Sequence, residues 1–230
     1  MNMTIDVTSD VICPWCYVGK RRLEKAIALA SGGDVRVRWH PFQLNPQMPK
    51  AGMSRREYRS AKFGSWERSL ALDAQVTAVG RDEGIPFAFE KIERTPNTLD
   101  AHRLIWLANE EGVQDTVVEA LFRAYFTDGA DLTDLGTLLN VATGAGMDRS
   151  RAEGLLEGEE GLAAIRAAEE QSRRAGVQGV PFFTLNNKLV LSGAMEASAF
   201  LDAFKRAGGE KVSANESRVC NVGPGGEPSC

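Results

Sequence analysis

Cys13-Pro14-Trp15-Cys16 stands between two runs of different periodicity, and that placement constrains the chain more than any other stretch. Before it, Met3-Thr4-Ile5-Asp6-Val7 alternates as a half-buried β-strand does, with the strand predicted over Thr4 to Ser9. After it, Leu23, Ile27 and Ala30 recur at helical spacing within Lys20 to Ala30, and Ser31-Gly32-Gly33 ends the run. Val35-Arg36-Val37-Arg38-Trp39 then alternates apolar and basic residues, a second strand. Strand, helix, strand in this order is a βαβ unit with a right-handed crossover, which makes the two strands parallel.

Two thiols three positions apart at a strand-to-helix junction suit dithiol–disulfide chemistry. Cys13 lies where unpaired N–H groups and the positive end of the helix dipole favour a thiolate. Cys16 lies about one turn further on, within reach of a mixed disulfide formed on Cys13. Cys-Pro-x-Cys also occurs in zinc knuckles, but these need a second ligand pair on a rigid loop. The other two cysteines, Cys220 and Cys230, are separated by the floppy segment Asn221 to Ser229. Redox chemistry is therefore the stronger reading and no metal is expected. Pro14 suits the first helical turn, where its missing N–H costs nothing. Trp15 either meets substrate or packs against the rest of the chain.

Pro41, Pro46 and Pro49 end the first region, and from Ser54 to about Ala175 the pattern is helical. One helix carries Leu99, Leu104, Ile105 and Leu107, and the next Val117, Val118, Leu121, Phe122 and Tyr125. A third carries Leu135, Leu138, Leu139 and Val141 before Gly144-Ala145-Gly146, and a fourth Leu162, Ile165, Ala168 and Arg173 before Gly176. No strand-like alternation interrupts this block. Strand character returns at Pro181 to Leu185, turns at Asn186-Asn187 and continues over Lys188 to Gly193, a hairpin. Ala199 to Ala207 is a closing helix, and the tail beyond Gly209 is rich in Gly, Pro, Ser and Asn, so it is expected to be poorly ordered. The chain is accordingly divided into a discontinuous α/β domain over 1–48 and 177–209, a helical insertion over 49–176 and a flexible tail over 210–230.

With 27 basic and 31 acidic residues, the net charge of −4 gives no electrostatic argument for nucleic acid or an anionic membrane. The apolar runs are too short to span a bilayer. The N-terminal residues lack the basic and apolar regions of a secretory signal, which predicts a cytoplasmic protein.

The order β-α-β, helical insertion, hairpin, helix, together with Cys13-Pro14-Trp15-Cys16 and Val180-Pro181-Phe182-Phe183, resembles the DsbA-like thioredoxin superfamily. The stretches Ser9 to Gly19, Asn97 to Leu104 and Gly176 to Phe183 resemble its FrnE-type oxidoreductases. The resemblance implies a thioredoxin-like α/β fold with a large all-helical insertion. It implies Cys13 as nucleophile, Cys16 as resolving thiol, and a cis proline at Pro181 beside the reactive thiol. That proline would turn the backbone of Val180 toward an extended substrate. His102 falls within a family stretch, where it either lines the groove or tunes the thiolate, or simply packs a helix. His40 has a structural or surface role. Relatives of this type can carry a second cysteine pair near the C-terminus, which here would be Cys220 and Cys230. These two either form a tail disulfide, exchange with the main dithiol, or are incidental exposed thiols.

Similar in fold are 2-hydroxychromene-2-carboxylate isomerases and kappa-class glutathione transferases, which typically carry Ser where this chain has Cys13. The leading expectation is a cytoplasmic thiol–disulfide oxidoreductase or isomerase acting on protein or peptide thiols and disulfides, without a bound cofactor. Two alternatives remain. One is a glutathione-dependent isomerase or transferase acting on a small aromatic or polyketide-like substrate, with glutathione as co-substrate. The other is a redox-regulated binding protein or holdase.

Overall fold

The computed structural model describes residues 2–30 and 34–208. Strand β1 (Met3–Ser9) leads into helix α1 (Pro14–Leu29) and strand β2 (Val35–Pro41), and β1 pairs with β2 in parallel from Met3↔Val35 to Ser9↔Pro41. The helix begins six residues before the Lys20 start of its sequence pattern, because Pro14 takes the first helical position and Cys13 is the N-cap. The chain then runs through α2 (Arg55–Phe63), α3 (Trp66–Asp82), α4 (Leu99–Glu110), α5 (Gln114–Arg123), α6 (Leu135–Gly144), α7 (Arg149–Glu157) and α8 (Leu162–Arg174). It returns as β5 (Phe182–Leu185), β6 (Leu189–Ser192) and α9 (Ala197–Ala207). The main sheet has the order β2-β1-β5-β6, with β5 antiparallel to both neighbours. Asn186 and Asn187 both take positive φ, 49° and 55°, which a tight hairpin turn requires and asparagine tolerates.

The helical segment is interrupted once. Met53–Ser54 (β3) and Arg94–Thr95 (β4) form an antiparallel pair of two residues each, too short for alternation to reveal. Four helices match the apolar sets of the sequence, except that Tyr125 falls beyond the end of α5, and α2, α3 and α7 lie within the helical block without such a set. Just after α5 the chain widens into a π-helical turn, Ala124–Asp128, which buries Tyr125 and Phe126 together. Gly129, at φ 73°, ends it, and the Phe126 carbonyl accepts from Ala88 N–H at 2.8 Å. No helix among the described residues is long and apolar enough to cross a membrane.

Apolar burial runs continuously from the sheet into the helices: Ile5, Val7, Val18 and Leu23 join Leu104, Leu121 and Phe122 in one cluster. Helices α1 and α9 pack on each other beside β5 and β6, where Phe183 and Phe200 meet edge to face at 4.8 Å. Gly19 makes the close approach of α1 to β5 feasible, since a Cβ there would lie 3.1 Å from both Pro181 and Phe183 side chains. The outer edge of β2 is covered by a side chain. The Gln114 amide accepts from Trp39 N–H at 2.9 Å and donates to the Trp39 carbonyl at 3.1 Å, as a neighbouring strand would.

An ion cluster joins α1 to α5. Lys20, 2% exposed, lies 3.1 Å from Asp115, 3.2 Å from Glu119 and in contact with Glu24. Arg21 bridges Glu24 and Glu119, Tyr17 Oη donates to Glu119 at 2.8 Å, and Trp39 Nε1 donates to Asp115 at 2.9 Å. Burial acts to raise the Glu119 pKa, but Lys20, Arg21 and Tyr17 outweigh it and hold the carboxyl below the usual range. Asp6 behaves alike: burial opposes, yet Arg38, which donates to both oxygens at 2.7 and 2.8 Å, and His40 at 2.6 Å prevail.

Both carboxyls bind protons less readily folded than unfolded. Their contribution is therefore full above about pH 5 and lost as pH falls below about 4. Glu119→Gln should lower stability at neutral pH by about 1–3 kcal/mol in urea titrations. It should also flatten the acid limb of the stability–pH curve, and an unchanged limb would contradict this account.

Candidate functional site

The turn from β1 into α1 is held by Asp10. Its carbonyl accepts from Cys13 N–H at 3.0 Å, and its side chain accepts from Leu44 N–H, beyond β2, at 2.7 Å. Cys13 takes extended dihedrals at the N-cap and makes no side-chain capping hydrogen bond. Cys13 thus stands at the end of α1 where the backbone N–H groups of the first turn are left without partners in the helix. Cys13 is 6% exposed and Cys16 1%. Burial pushes the Cys16 thiol well up from its ordinary value, and the neighbouring Cys13 adds to this. The Ser9 side chain and the Asp10 backbone act in the opposite sense without cancelling it.

Val180 reaches Cys13 from 167 residues away, and its carbonyl lies 3.5 Å from Cys13 Sγ. The Val180–Pro181 bond is cis and Pro181 is buried. The Pro181 carbonyl accepts from Gly193 N–H at 2.8 Å, which ties this loop to the end of β6. A thiol is a weak donor, so the Val180 carbonyl is open to exchange Cys13 for a stronger one.

Beside Cys13 opens a cavity of about 270 Å³ with Pro14 and Trp15 on its wall. Trp15 is 39% exposed, so it is both a wall of the cavity and open to solvent. The opposite wall is formed by α2, α3 and the π-helical turn, which contributes Tyr125 and Phe126. Burial raises the Tyr125 phenol, so it stays protonated through the neutral range. Of this wall the sequence points only to Tyr125, as an apolar helix position; Arg55, Tyr58 and Arg59 carry no site signal there. Their basic run reads as a solvated face.

His102 does not join this cavity. It is 3% exposed and lies behind the turn, with Nε2 3.4 Å from Asp10 Oδ1. Neither atom has a hydrogen-bond partner among the described residues. His102 is thus a packed helix residue beside Asp10 rather than a groove-lining one. His40 is at Asp6 on the sheet. Cys220 and Cys230 lie outside the described residues. Among the described residues, no three His, Cys, Asp or Glu side chains gather as metal ligands would.

The family profile of the DsbA-like thioredoxin domain matches residues 4–205. The uncharacterized protein YwbO of Bacillus subtilis is 26% identical over 212 residues, covering 90% of this chain and 96% of its own. The crystal structure of the probable DsbA oxidoreductase SCO1869 of Streptomyces coelicolor superposes with a TM-score of 0.83 at 32% identity, covering 99% of both chains. In fold alone, the chain is similar to the cytosolic disulfide reductase DsbM of Pseudomonas aeruginosa with GSH. That match has 20% identity and a TM-score of 0.63, covering 88% of this chain and 99% of the other. With its sheet order, its helix-capping cysteine and a family match over nearly its whole described length, the chain belongs to the DsbA-like thioredoxin domain family.

Proposed function

We propose that the protein is a thiol–disulfide oxidoreductase in which Cys13 attacks and Cys16 resolves. The observation that carries this reading is the asymmetry of the pair. Cys13 caps a helix on the wall of a cavity, while Cys16 is sealed behind it with its pKa pushed up by burial. In the reducing direction the Cys13 thiolate attacks a substrate disulfide, the S–S bond breaks and one substrate thiolate leaves. Cys16 then gives up its proton and attacks the Cys13 sulfur, releasing the second substrate thiolate. Two electrons pass to the substrate and a Cys13–Cys16 disulfide remains, to be reduced by a thiol donor. The reverse sequence oxidises a dithiol, and direction follows the relative reduction potentials.

The Val180 carbonyl beside Cys13 suits main-chain pairing with an extended peptide, a mode that tolerates many sequences. This supports protein or peptide disulfides as substrates, with Pro14, Trp15, Val180 and Pro181 around the reacting sulfur. We place the protein in the cytoplasm, a reading helped by the likeness to DsbM, which is described as cytosolic. Cys220 and Cys230 are accessory thiols in this scheme.

A second reading, a glutathione-dependent isomerase or transferase, draws on the cavity beside Cys13 and on the GSH in the DsbM structure. It requires Cys13 but not Cys16, so turnover that survives Cys16→Ser would favour it.

Cys13→Ser should reduce insulin-disulfide reduction to the uncatalysed rate. Cys16→Ser should leave a mixed disulfide trapped on Cys13, visible by intact mass; full activity of Cys13→Ser would end the proposal. In the reduced protein, iodoacetamide should alkylate Cys13 first. Labelling of Cys16 should need a more alkaline pH, in keeping with its raised pKa. Peptide mass mapping that finds Cys16 labelled first would reverse the assignment.

A further inference from the structure

The cavity beside Cys13 carries more positive charge than the fold neutralises. Its walls hold three cations, Arg55, Arg59 and Lys62, and one carboxylate, Asp73. Both oxygens of Asp73 are already engaged, Oδ2 with Arg55 Nη2 at 2.6 Å and Oδ1 with Arg59 Nη2 at 2.7 Å. The Arg55 side chain is 5% exposed and that of Arg59 14%. Among the described residues Arg55 Nε and Nη1, and Arg59 Nη1, have no hydrogen-bond acceptor. Aromatic rings cover the two guanidinium faces instead, with Phe89 5.4 Å from that of Arg55 and Phe63 4.8 Å from that of Arg59, while Lys62 Nζ at the rim donates to Tyr58 Oη at 2.7 Å. Rings ease the burial of a cation but offer its N–H groups no lone pair. Burial pushes the Arg59 pKa below the ordinary arginine range, Arg55 adds to the push, and Asp73 opposes it.

The rest of the lining is mostly apolar, with Ile12, Leu44, Val76 and Phe126 among it, and Gln75 and Thr95 polar but uncharged. At about 270 Å³ the space suits a ring-sized group, at the small end of ligand pockets, and not a folded partner. A planar carboxylate matches the open edges of the two guanidiniums.

We propose that this cavity is a specificity pocket for small disulfides carrying a carboxylate on an apolar, ring-sized body, with Arg55, Arg59 and Lys62 holding the anion while Cys13 attacks the sulfur. The proposal rests on the dithiol reading and adds a substrate class to it. The bonds and electrons are those of that reading: the protein dithiol supplies two electrons, two small thiolates leave, and Cys13–Cys16 becomes a disulfide.

The test uses the reduced full chain with Cys220→Ser and Cys230→Ser, mixed rapidly with three disulfides. These are 5,5′-dithiobis(2-nitrobenzoate), a ring carboxylate; 4,4′-dithiodipyridine, an uncharged ring; and glutathione disulfide, anionic but polar. Rates are normalised to those of N-acetylcysteine with the same probes. The ring carboxylate should be favoured over both others. Lys62→Gln, at the exposed rim, and Arg59→Gln should each lower its rate relative to the uncharged ring by about tenfold, the scale of one charged hydrogen bond. Unchanged ratios, or a preference for glutathione disulfide, would overturn the pocket while leaving the dithiol reading intact. Failure of all three to react at Cys13 would instead strike the dithiol reading. The pocket is then judged by calorimetry with the non-reactive naphthalene-2-carboxylate, where absent binding, or binding indifferent to Arg59→Gln, overturns it.

Discussion

The antiparallel pairing of β1 with β5 is the contact on which the rest of this molecule depends. Val7 opposite Phe183 and Thr8 opposite Phe182 set the register of two strands that are far apart in the chain. That register delivers the Val180 carbonyl to Cys13 Sγ, because one strand ends just before the cysteine turn and the other begins just after the proline. A slip of one residue would turn the faces of β5 over and remove Phe183 from the core. Gly19 completes the arrangement by letting α1 lie against Pro181 and Phe183. Strand pairing, helix packing and the geometry of the reacting sulfur are therefore one problem with one solution.

The helices between β2 and β5 close that site from the other side. They are joined to it by charge as well as by apolar packing: Lys20 and Arg21 on α1 meet Asp115 and Glu119 on α5, and Trp39 on β2 shares Asp115. A buried lysine with several acids is costly to break, since removing one partner leaves charge in a poor solvent. The same segment brings Arg55 and Arg59 to the cavity that Cys13 lines, so the wall that shapes the space beside the dithiol also carries surplus positive charge.

Much of this was legible in the chain because it is local. The alternation of β1 and β2, the parallel crossover, the Asn186-Asn187 turn and the thiol pair at a helix start each follow from residues within a few positions of one another. The cis bond at Pro181 came from resemblance, since Val-Pro-Phe by itself reads equally as an ordinary strand start. What escaped was set by partners far away. Arg55, Arg59 and Lys20 look like solvated charge until Asp73, Asp115 and Glu119 are brought to them. The π-helical turn at Ala124–Asp128 leaves no mark on apolar spacing, yet it aims both Tyr125 and Phe126 at the cavity. His102, within a recognisable stretch, lies beside Asp10 because α4 packs near β2, which its own neighbours do not reveal.

Cys13 and Cys16 act as one two-electron couple in the proposed chemistry. Equilibrating the protein in dithiothreitol redox buffers, quenching with acid and alkylating the free thiols tests this directly through the mass of the peptide that holds both cysteines. Both thiols should disappear together, along a single two-electron titration curve. A Cys16 that stays alkylatable throughout, while Cys13 alone is blocked, would contradict a shared couple.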